Sequence, residues 1–284
     1  MILVTGADGQ LGREFCRRFA SDAVGLNRSQ LDIADADHVR EVIRRLKPSV
    51  IVNTAAYTAV DRAEDEPGVC CAINREGVRN LTAVARDVDA LLVQISTDYV
   101  FGDADEADGP LCETALPSPR GVYATSKYEG EQLVAAYPQH LILRTCGLYG
   151  AATRSGNFVQ TMLRLARQGK PLRIVDDQRC NPTSTAAFAE AALNLIAAAS
   201  TGTFHVVSSP AVTWYEFAKE IFRIARLDVQ ITPITSQQYG ARAPRPRYSV
   251  LDTRKYTQST QRMIPSIADS LAEYLADHDK ITFT

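Results

Sequence analysis

Tyr123 and Lys127 stand four residues apart and could together carry out acid–base chemistry. On a helix this spacing places both side chains on one face. An ammonium group beside a phenol favours the phenolate, so it lowers a pKa that starts at about 10. Such a tyrosine can act as an acid or a base near neutral pH. Because the spacing alone occurs by chance in many helices, the assignment needs support from other residues.

Ser96, Thr97 and Asp98 follow an apolar run that predicts a buried strand. A hydroxyl just beyond the carboxyl end of a parallel strand faces the ligand crevice. Thr97 could therefore bond a substrate carbonyl and orient Tyr123. Other interpretations stay open, because Ser96 and Thr97 could cap a helix or turn, and Asp98 is either a substrate contact or a turn residue. Thr97, Tyr123 and Lys127 are the predicted catalytic group.

Gly6, Gly9 and Gly12 form the pattern G-x-x-G-x-x-G directly after the first apolar run. Glycine lets the backbone turn tightly and approach a pyrophosphate. The helix that follows offers free N–H groups and the positive end of its dipole. An ordinary strand-to-helix turn could carry the same pattern, but its position at the start of a β-α-β unit favours a dinucleotide site.

Asn27 and Arg28 end the second predicted strand, where the choice between NAD and NADP is made. An acidic residue there would bond the ribose 2′-hydroxyl, whereas an arginine can pair with a 2′-phosphate. A surface arginine is also common without such a role. The sequence therefore favours NADP(H), with NAD(H) as a cofactor that the protein could also accept.

The elements that must position these residues alternate between strands and helices. This order predicts an α/β fold, a Rossmann-type doubly wound parallel sheet with right-handed crossovers. Apolar runs predict strands at 2–5, 23–26, 50–52, 91–95 and 140–144, and helical spacing predicts helices at 10–20, 35–46, 68–87 and within 116–137.

After residue 150 the spacing of elements changes, which predicts a smaller C-terminal α/β substrate lobe. Thr213 is placed to cap a helix, with Glu216 three residues later completing a capping box. We expect an NADP(H)-binding domain at 1–145 and a substrate-binding lobe at 146–284, with a helix near 185–199 that could return to the first domain. The predicted elements are helices at 157–168, 185–199 and 213–225 and strands at 172–175 and 204–207.

Composition narrows the class of protein further. The 284 residues carry a net charge of −2 and 45% hydrophobic residues, so no basic face for nucleic acid is expected. The longest apolar helix is too short to span a membrane, which needs about 20 residues. The six cysteines form no C-x-x-C pair or zinc spacing, so we assign no metal. Scattered thiols and a chain that begins with a strand indicate a cytoplasmic protein.

The sequence resembles the dTDP-4-dehydrorhamnose reductase family within the extended short-chain dehydrogenase/reductases. The resemblance implies that NADPH delivers hydride to the C4 ketone of a nucleotide-linked 6-deoxy-4-ketohexose, and that Tyr123 protonates the resulting alkoxide. It also implies that Lys127 holds the nicotinamide ribose and that Thr97 bonds the reacting oxygen. The matching segments are 5–12, 31–33, 53–64, 73–81, 96–101, 123–131, 143–150, 156–163, 175–183, 204–206, 213–218 and 243–252.

The resemblance assigns further contacts by position. One group of residues would hold the cofactor: some contact its phosphates, some flank its adenine, and some belong to the loop beside the cofactor and the sugar. A second group would hold the substrate. The cofactor group comprises Gly9, Gln10, Leu11, Asp32, Ile33, Ala56, Tyr57 and Thr58. The substrate group comprises Thr97, Asp98, Gly147, Asn157 and Arg245, of which Arg245 and Asn157 would lie near the nucleotide diphosphate.

Gly147 departs from the family pattern, because it stands where a tryptophan would pack on the sugar. The exact sugar and the configuration at C4 therefore stay open. One alternative is another nucleotide-sugar 4-ketoreductase or epimerase. Another is a non-catalytic NADP-binding subunit that resembles the methionine adenosyltransferase beta subunit, although such a subunit need not keep Thr97, Tyr123 and Lys127 together. A homodimer is compatible with the sequence.

Overall fold

A computed structural model describes residues 1–150 and 156–282, and a parallel sheet with helices on both faces dominates it. The strands are β1 (Ile2–Thr5), β2 (Ala23–Leu26), β3 (Val50–Asn53), β4 (Leu91–Thr97), β5 (His140–Tyr149), β6 (Leu172–Val175), β7 (Arg179–Cys180), β8 (Pro182–Ser184), β9 (Gly202–His205), β10 (Val212–Thr213) and β11 (Ile231–Ile234). The helices are α1 (Gln10–Phe19), α2 (Ala36–Leu46), α3 (Val60–Ala63), α4 (Pro67–Cys71), α5 (Val78–Val88), α6 (Gly121–Ala135), α7 (Phe158–Ala166), α8 (Thr185–Ala197), α9 (Trp214–Ile224), α10 (Ser236–Tyr239), α11 (Arg254–Thr260) and α12 (Ile267–Thr282).

The main sheet has the strand order β2-β1-β3-β4-β5-β8, and β9 also pairs with β5. All these pairs are parallel. The chain leaves β1 in one direction to β2 and then returns to the other side of β1 as β3. This reversal opens a crevice at the carboxyl ends of β1 and β3, where ligands bind in doubly wound sheets.

Two apolar layers cover the two faces of the sheet. On one face α1 and α8 pack together, and the rings of Phe15 and Phe188 meet edge to face at 6.5 Å. On the other face α2, α5 and α6 bury residues such as Leu81 and Val134. The predicted doubly wound α/β fold is confirmed, and most predicted elements differ from the observed ones only at their ends.

The second half of the chain forms a smaller α/β layer around Tyr149, where β6 pairs with β11 and β7 with β10. The predicted cap of α9 is confirmed, because Thr213 Oγ1 accepts from the Glu216 N–H at 3.1 Å and Glu216 accepts from the Thr213 N–H at 2.8 Å. Because β8 and β9 join the main sheet, the division at residue 145 remains a proposal.

The helix predicted at 68–87 is interrupted by a π-helical segment, Ala72–Gly77, between α4 and α5. Such segments are rare and often occur at functional sites. Gly77 lets this segment approach the loop between β2 and α2, since an added Cβ would lie 2.6 Å from Ile33 Cγ1. Within the described ranges, no helix is long and apolar enough to cross a membrane.

Candidate active site

A cavity of about 970 Å³ opens at the carboxyl ends of β1, β3 and β4, beside the N-terminus of α1. Its wall brings together residues that are far apart in the chain. The lining residues are Asp8, Gly9, Gln10, Leu11, Gly12, Arg13, Asn53, Thr54, Ala55, Ala56, Thr58, Val60, Ile95, Ser96, Thr97, Asp98, Tyr99, Tyr123, Lys127, Thr145, Gly147 and Leu148.

The glycine loop forms one end of this cavity. Gly6 has φ +65°, and an added Cβ would lie 2.8 Å from the Ala55 amide nitrogen. Any side chain there would therefore collide with the backbone that follows β3. Gly12 is equally confined, because its Cβ would meet the Gly6 carbonyl oxygen. Gly9 precedes α1 without a side-chain cap, which leaves N–H groups of the first helical turn available to an anion.

Gln10 connects the glycine loop to the second lobe. Its Oε1 accepts hydrogen bonds from the Gly150 N–H at 3.1 Å and from Asn157 Nδ2 at 2.8 Å. Asn157 also caps α7, because its Oδ1 accepts from the Gln160 N–H at 3.0 Å. The structure thus places Asn157 against the glycine loop and outside the residues that line the cavity.

The predicted catalytic group meets in the cavity. Thr97 Oγ1 accepts from the Tyr99 N–H at 3.2 Å and donates to Asp98 Oδ1 at 3.2 Å, and a further hydrogen bond joins Thr97 to Tyr123. Lys127 Nζ donates to the Ile95 carbonyl oxygen at 2.7 Å. Thr97 therefore both starts the helical turn after β4, as the capping interpretation allowed, and contacts the candidate acid.

The pKa of Tyr123 is raised, whereas the sequence led us to expect that Lys127 lowers it. Although Tyr123 keeps some exposed surface, burial raises the pKa of its hydroxyl, and the hydrogen bond with Thr97 only partly opposes this. Burial also lowers the pKa of Lys127 to about 8. Tyr123 is therefore protonated at neutral pH, which is the state that a proton donor needs.

Asp98 accepts a hydrogen bond from Thr97 and is 2% exposed. Burial raises the pKa of its carboxyl to about 6, against the lowering effect of hydrogen bonds from Ser249, Cys146 and Thr97. Ser249 Oγ donates to Asp98 Oδ2 at 2.5 Å. Asp98 thus lines the cavity and is also held by hydrogen bonds to neighbouring protein groups.

Glu64, which the sequence interpretation missed, fixes where α6 begins. Its Oε1 accepts from the Val122 N–H at 2.8 Å, one residue before Tyr123. Gly121 has φ +79°, and a Cβ there would lie 2.7 Å from the same carboxylate oxygen. A carboxylate at a helix N-terminus is favoured by the free N–H groups and the dipole. No local signal predicts this cap, because 58 residues separate its partners.

Asn74 is a second missed residue, and the π-helical segment points it toward α6. Its Nδ2 donates to Ser126 Oγ at 3.1 Å and to the Tyr57 carbonyl oxygen at 3.1 Å, and its Oδ1 accepts from the Tyr57 N–H at 2.9 Å. The buried Asn74 amide thereby holds the 56–58 loop and the catalytic helix in one arrangement.

A chain of buried hydrogen bonds crosses the strand ends toward Lys127. Thr5 Oγ1 donates to Asn53 Oδ1 at 2.7 Å, and Asn53 Nδ2 donates to Gln94 Oε1 at 2.8 Å. Gln94 Nε2 then donates at 2.9 Å to the Ile95 carbonyl oxygen, which Lys127 also contacts. Satisfied networks of this kind rigidify a site.

Two buried hydroxyls on the cavity wall, Ser96 Oγ and Thr145 Oγ1, have no hydrogen-bond partner within residues 1–150 and 156–282. Each of these residues is 4% exposed. An unpaired buried polar group costs about 1–3 kcal/mol unless a ligand satisfies it. The glycine cradle at one end and these hydroxyls farther along the wall fit a dinucleotide, which needs an anion site and polar contacts for its other end.

The predicted cofactor residues Asn27, Arg28, Asp32, Ile33 and Tyr57 lie outside the residues that line the cavity. All five have partners within the protein. Asn27 Oδ1 accepts from the Ser29 and Gln30 N–H groups, Ile33 is buried among apolar residues, and Tyr57 bonds Asn74. The Arg28 side chain is 74% exposed, and its Nε lies 3.4 Å from Asp32 Oδ2. Gly6, also outside the lining residues, accepts a hydrogen bond from the Gly9 N–H through its carbonyl oxygen.

Arg245 lines a second cavity of about 640 Å³ together with Arg179 and Arg247. Its guanidinium donates to both oxygens of Asp61 at 3.0 and 2.8 Å, and this hydrogen bonding lowers the pKa of Asp61 to about 2. Asp61 follows Val60, which lines the first cavity, so Arg245 stands where the two cavities approach each other.

The comparisons agree with this geometry. The family described as RmlD substrate binding domain matches residues 1–280. A dTDP-4-dehydrorhamnose reductase of Streptomyces griseus is 41% identical over 89% of this chain and 86% of its own length. A dTDP-4-keto-6-deoxy-D-glucose reductase of Streptomyces niveus is 38% identical over 88% and 87%.

A solved structure of dTDP-4-dehydrorhamnose reductase from Bacillus anthracis in complex with NADP superposes with a TM-score of 0.92 at 35% identity. The match covers 97% of this chain and 98% of that one. Because the family and its relatives match nearly the whole sequence, the chain belongs to the dTDP-4-dehydrorhamnose reductase family.

Proposed function

We propose that this protein reduces the C4 ketone of a nucleotide-linked 6-deoxy-4-ketohexose with NADPH, and that dTDP-4-dehydro-L-rhamnose is the substrate, giving dTDP-L-rhamnose. The observation that carries the proposal is that Thr97, Tyr123 and Lys127 meet on the wall of one cavity that starts at a glycine cradle. Relatives named for the reduction of dTDP-linked 4-keto sugars support the substrate class.

The cofactor residues divide by the part of the dinucleotide they would hold. The glycine loop with Gln10 and Leu11 would bind the pyrophosphate, and Ala56 and Thr58 would flank its path along β3. Lys127 would hold the ribose next to the nicotinamide, which it can reach because its stem lies on the cavity wall. When bound, the cofactor supplies the hydride that converts the ketone carbon into a carbinol carbon.

Residues of the protein then supply the proton that the reduced ketone oxygen needs. Thr97 and Tyr123 would bracket the position of the ketone oxygen. Tyr123 donates a hydrogen bond to it as negative charge develops there, and Thr97 does the same once its hydroxyl turns from Asp98 to the substrate. The Tyr123 O–H bond breaks as its proton moves to the alkoxide oxygen. The Lys127 ammonium on the next turn of α6 stabilises the phenolate that remains.

The nucleotide part of the substrate would occupy the second cavity. Arg179, Arg245 and Arg247 lie on its wall, and the planar guanidinium group matches phosphate oxygens in pairs. Asp61, beside this cavity, pairs with Arg245, and on its wall Glu106 pairs with Arg179 and Asp103 with Arg120. In this arrangement the diphosphate lies at the junction of the cavities and the sugar reaches Tyr123.

The decisive test follows NADPH absorbance while the protein is given dTDP-4-dehydro-L-rhamnose and other nucleotide-linked 4-ketosugars. We expect turnover with the dTDP-linked 6-deoxy sugar and a product whose C4 configuration, read by NMR, is that of rhamnose. If only another ketosugar is turned over, the protein is a nucleotide-sugar 4-ketoreductase of different specificity. Tight NADPH binding without turnover of any ketosugar would favour the regulatory-subunit alternative.

Replacing Arg28 by alanine is expected to lower kcat/KM for NADPH about tenfold while kcat/KM for NADH changes little. Arg28 follows β2 beside the glycine loop and is exposed, so its guanidinium is free to turn from Asp32 to a 2′-phosphate. The measurement is the ratio of kcat/KM for the two cofactors. Arg40→Ala on α2, a similarly exposed arginine paired with Asp37, is the matched control. An unchanged ratio in Arg28→Ala would remove Arg28 from cofactor selection.

The remaining sequence expectations stay proposals. They are the division at residue 145, the accessory use of NAD(H), the cytoplasmic location and the homodimer. The six free thiols support the cytoplasmic location, since reducing compartments keep cysteines unpaired.

A further inference from the structure

Asp61, on α3, holds a short basic segment that lies 182 residues farther along the chain. Its Oδ1 accepts from the Ala243 N–H at 2.9 Å. Its two oxygens also accept from the two terminal nitrogens of Arg245, at 3.0 Å and 2.8 Å. Asp61 therefore fixes both the backbone and the guanidinium at this point of the second cavity, whose wall includes Arg245.

The Arg245 guanidinium has two edges that can each hold a pair of acceptor atoms. Asp61 occupies the edge formed by Nη1 and Nη2, and Nη1 also donates to the Ala243 carbonyl oxygen at 3.1 Å. The other edge, formed by Nε and Nη2, donates to none of the residues that the structure describes. Because Arg245 lines the second cavity and Asp61 and Ala243 do not, this second edge is the one available to a ligand there.

The pair between Asp61 and Arg245 is ionised and partly shielded from water. The Arg245 side chain is 19% exposed and the Asp61 side chain 47%. Hydrogen bonding from Arg245 lowers the pKa of Asp61 to about 2, so the carboxylate keeps its charge at neutral pH. Groups of the protein itself thus hold the guanidinium in one orientation.

We propose that Asp61 is a positioning residue for the substrate, which fixes the Arg245 guanidinium so that its second edge is ready for the diphosphate of a nucleotide-linked substrate. This inference rests on the proposed function. A side chain that is already fixed loses less conformational entropy when its ligand binds. A planar guanidinium also pairs with two phosphate oxygens only in a matching orientation. Without Asp61, the ligand itself would have to order Arg245.

The charge of Asp61 alone predicts the opposite effect on binding. A carboxylate beside a phosphate site repels the ligand, so its removal would tighten binding if Asp61 acted only through its charge. The positioning role predicts that its removal weakens binding, because the guanidinium then turns among several orientations. The direction of the change in Kd for a nucleoside diphosphate therefore separates the two roles.

The first test titrates the protein, saturated with NADP⁺, with dTDP in a calorimeter. Asp61→Asn cannot accept both terminal nitrogens of Arg245, and we expect its Kd for dTDP to rise about tenfold. Asp65→Asn is the matched control, because it removes the neighbouring carboxylate, whose partner Arg242 does not line the second cavity. Its Kd should be that of the unmodified protein. An unchanged or lower Kd in Asp61→Asn would overturn the proposal.

Asp61→Glu gives a second measurement that does not change the charge. It displaces the carboxylate by one methylene group, so we expect its Kd for dTDP to rise about threefold. If Asp61→Asn does not fold, Asp61→Glu decides in the same direction.

The second test asks whether Asp61 acts through Arg245. In a double-mutant cycle, Asp61→Asn should not weaken dTDP binding further once Arg245→Ala is present. In steady-state kinetics, Asp61→Asn should raise KM for the ketosugar about tenfold, with kcat within about twofold and the Kd for NADPH unchanged. A further tenfold loss in the Arg245→Ala background would overturn the proposal. So would a fall of kcat as large as the rise of KM, because Asp61 would then support the catalytic helix through α3.

The two hypotheses fail in different ways. If the unmodified protein turns over a ketosugar and Asp61→Asn binds dTDP equally well, the positioning role is wrong and the proposed function stands. If no ketosugar is reduced but Asp61→Asn weakens dTDP binding only when Arg245 is present, the proposed function is wrong and the positioning role stands. Absence of dTDP binding to the unmodified protein would overturn the positioning role.

Discussion

Replacing Tyr123 by phenylalanine is expected to lower kcat about a hundredfold or more while the Kd for NADPH stays nearly unchanged. Phenylalanine keeps the ring and its edge-to-face contact with Tyr99 at 5.7 Å, so the wall of the cavity is retained. Only the hydroxyl is lost, and with it the proton that the alkoxide needs. Steady-state kinetics with the ketosugar and NADPH fluorescence titrations measure the two quantities separately.

The control is Tyr128→Phe, because Tyr128 lies on the same helix and outside the residues that line the cavity. Its kcat should match that of the unmodified protein. Equal activity in Tyr123→Phe and the unmodified protein would eliminate Tyr123 as the proton donor. A large loss of NADPH affinity in Tyr123→Phe would instead indicate that the hydroxyl holds the cofactor.

The cofactor end of the site could be read from the sequence because its chemistry is local. Gly6, Gly9 and Gly12 lie within one turn between a strand and a helix, and Tyr123 and Lys127 lie on one helical face. In both cases the spacing itself specifies the geometry. The strand ends that bring Thr97 near Tyr123 follow from the parallel order of the sheet, which the alternation of elements already predicts.

Other parts of the site depend on contacts between distant segments, so no local pattern predicts them. Glu64 caps α6 from 58 residues away, and Asn74 reaches Ser126 only because a π-helical segment turns its side chain. The pKa of Tyr123 was predicted from its neighbour Lys127, but it is set by how deeply the fold buries the hydroxyl. Likewise, the loss of a side chain at Gly147 is visible in the sequence, whereas the Trp214 ring that an added Cβ would meet there is visible only in the structure.

The buried ion pair between Arg144 and Glu131 leads to the largest expected change in stability. Arg144→Met should lower the free energy of unfolding by about 3–5 kcal/mol, because Glu131 on α6 would be left as an uncompensated buried charge. The two side chains are 6% and 4% exposed, and the guanidinium donates from Nε at 3.0 Å and from Nη2 at 2.7 Å to the two carboxylate oxygens. Urea unfolding followed by circular dichroism measures the loss.

Two further variants separate charge burial from loss of packing. The pair joins β5 to the helix that carries Tyr123 and Lys127, so its loss should also loosen the catalytic group. In Glu131→Leu/Arg144→Met both charges are removed, and stability should recover a large part of the loss, since apolar residues of similar size can replace a buried pair. Arg223→Met breaks an exposed pair with Glu220 and should cost at most about 1 kcal/mol. If Arg144→Met were no more destabilising than Arg223→Met, the buried pair would not anchor α6, and the position of Tyr123 would depend on other contacts, such as those of Glu64 and Asn74.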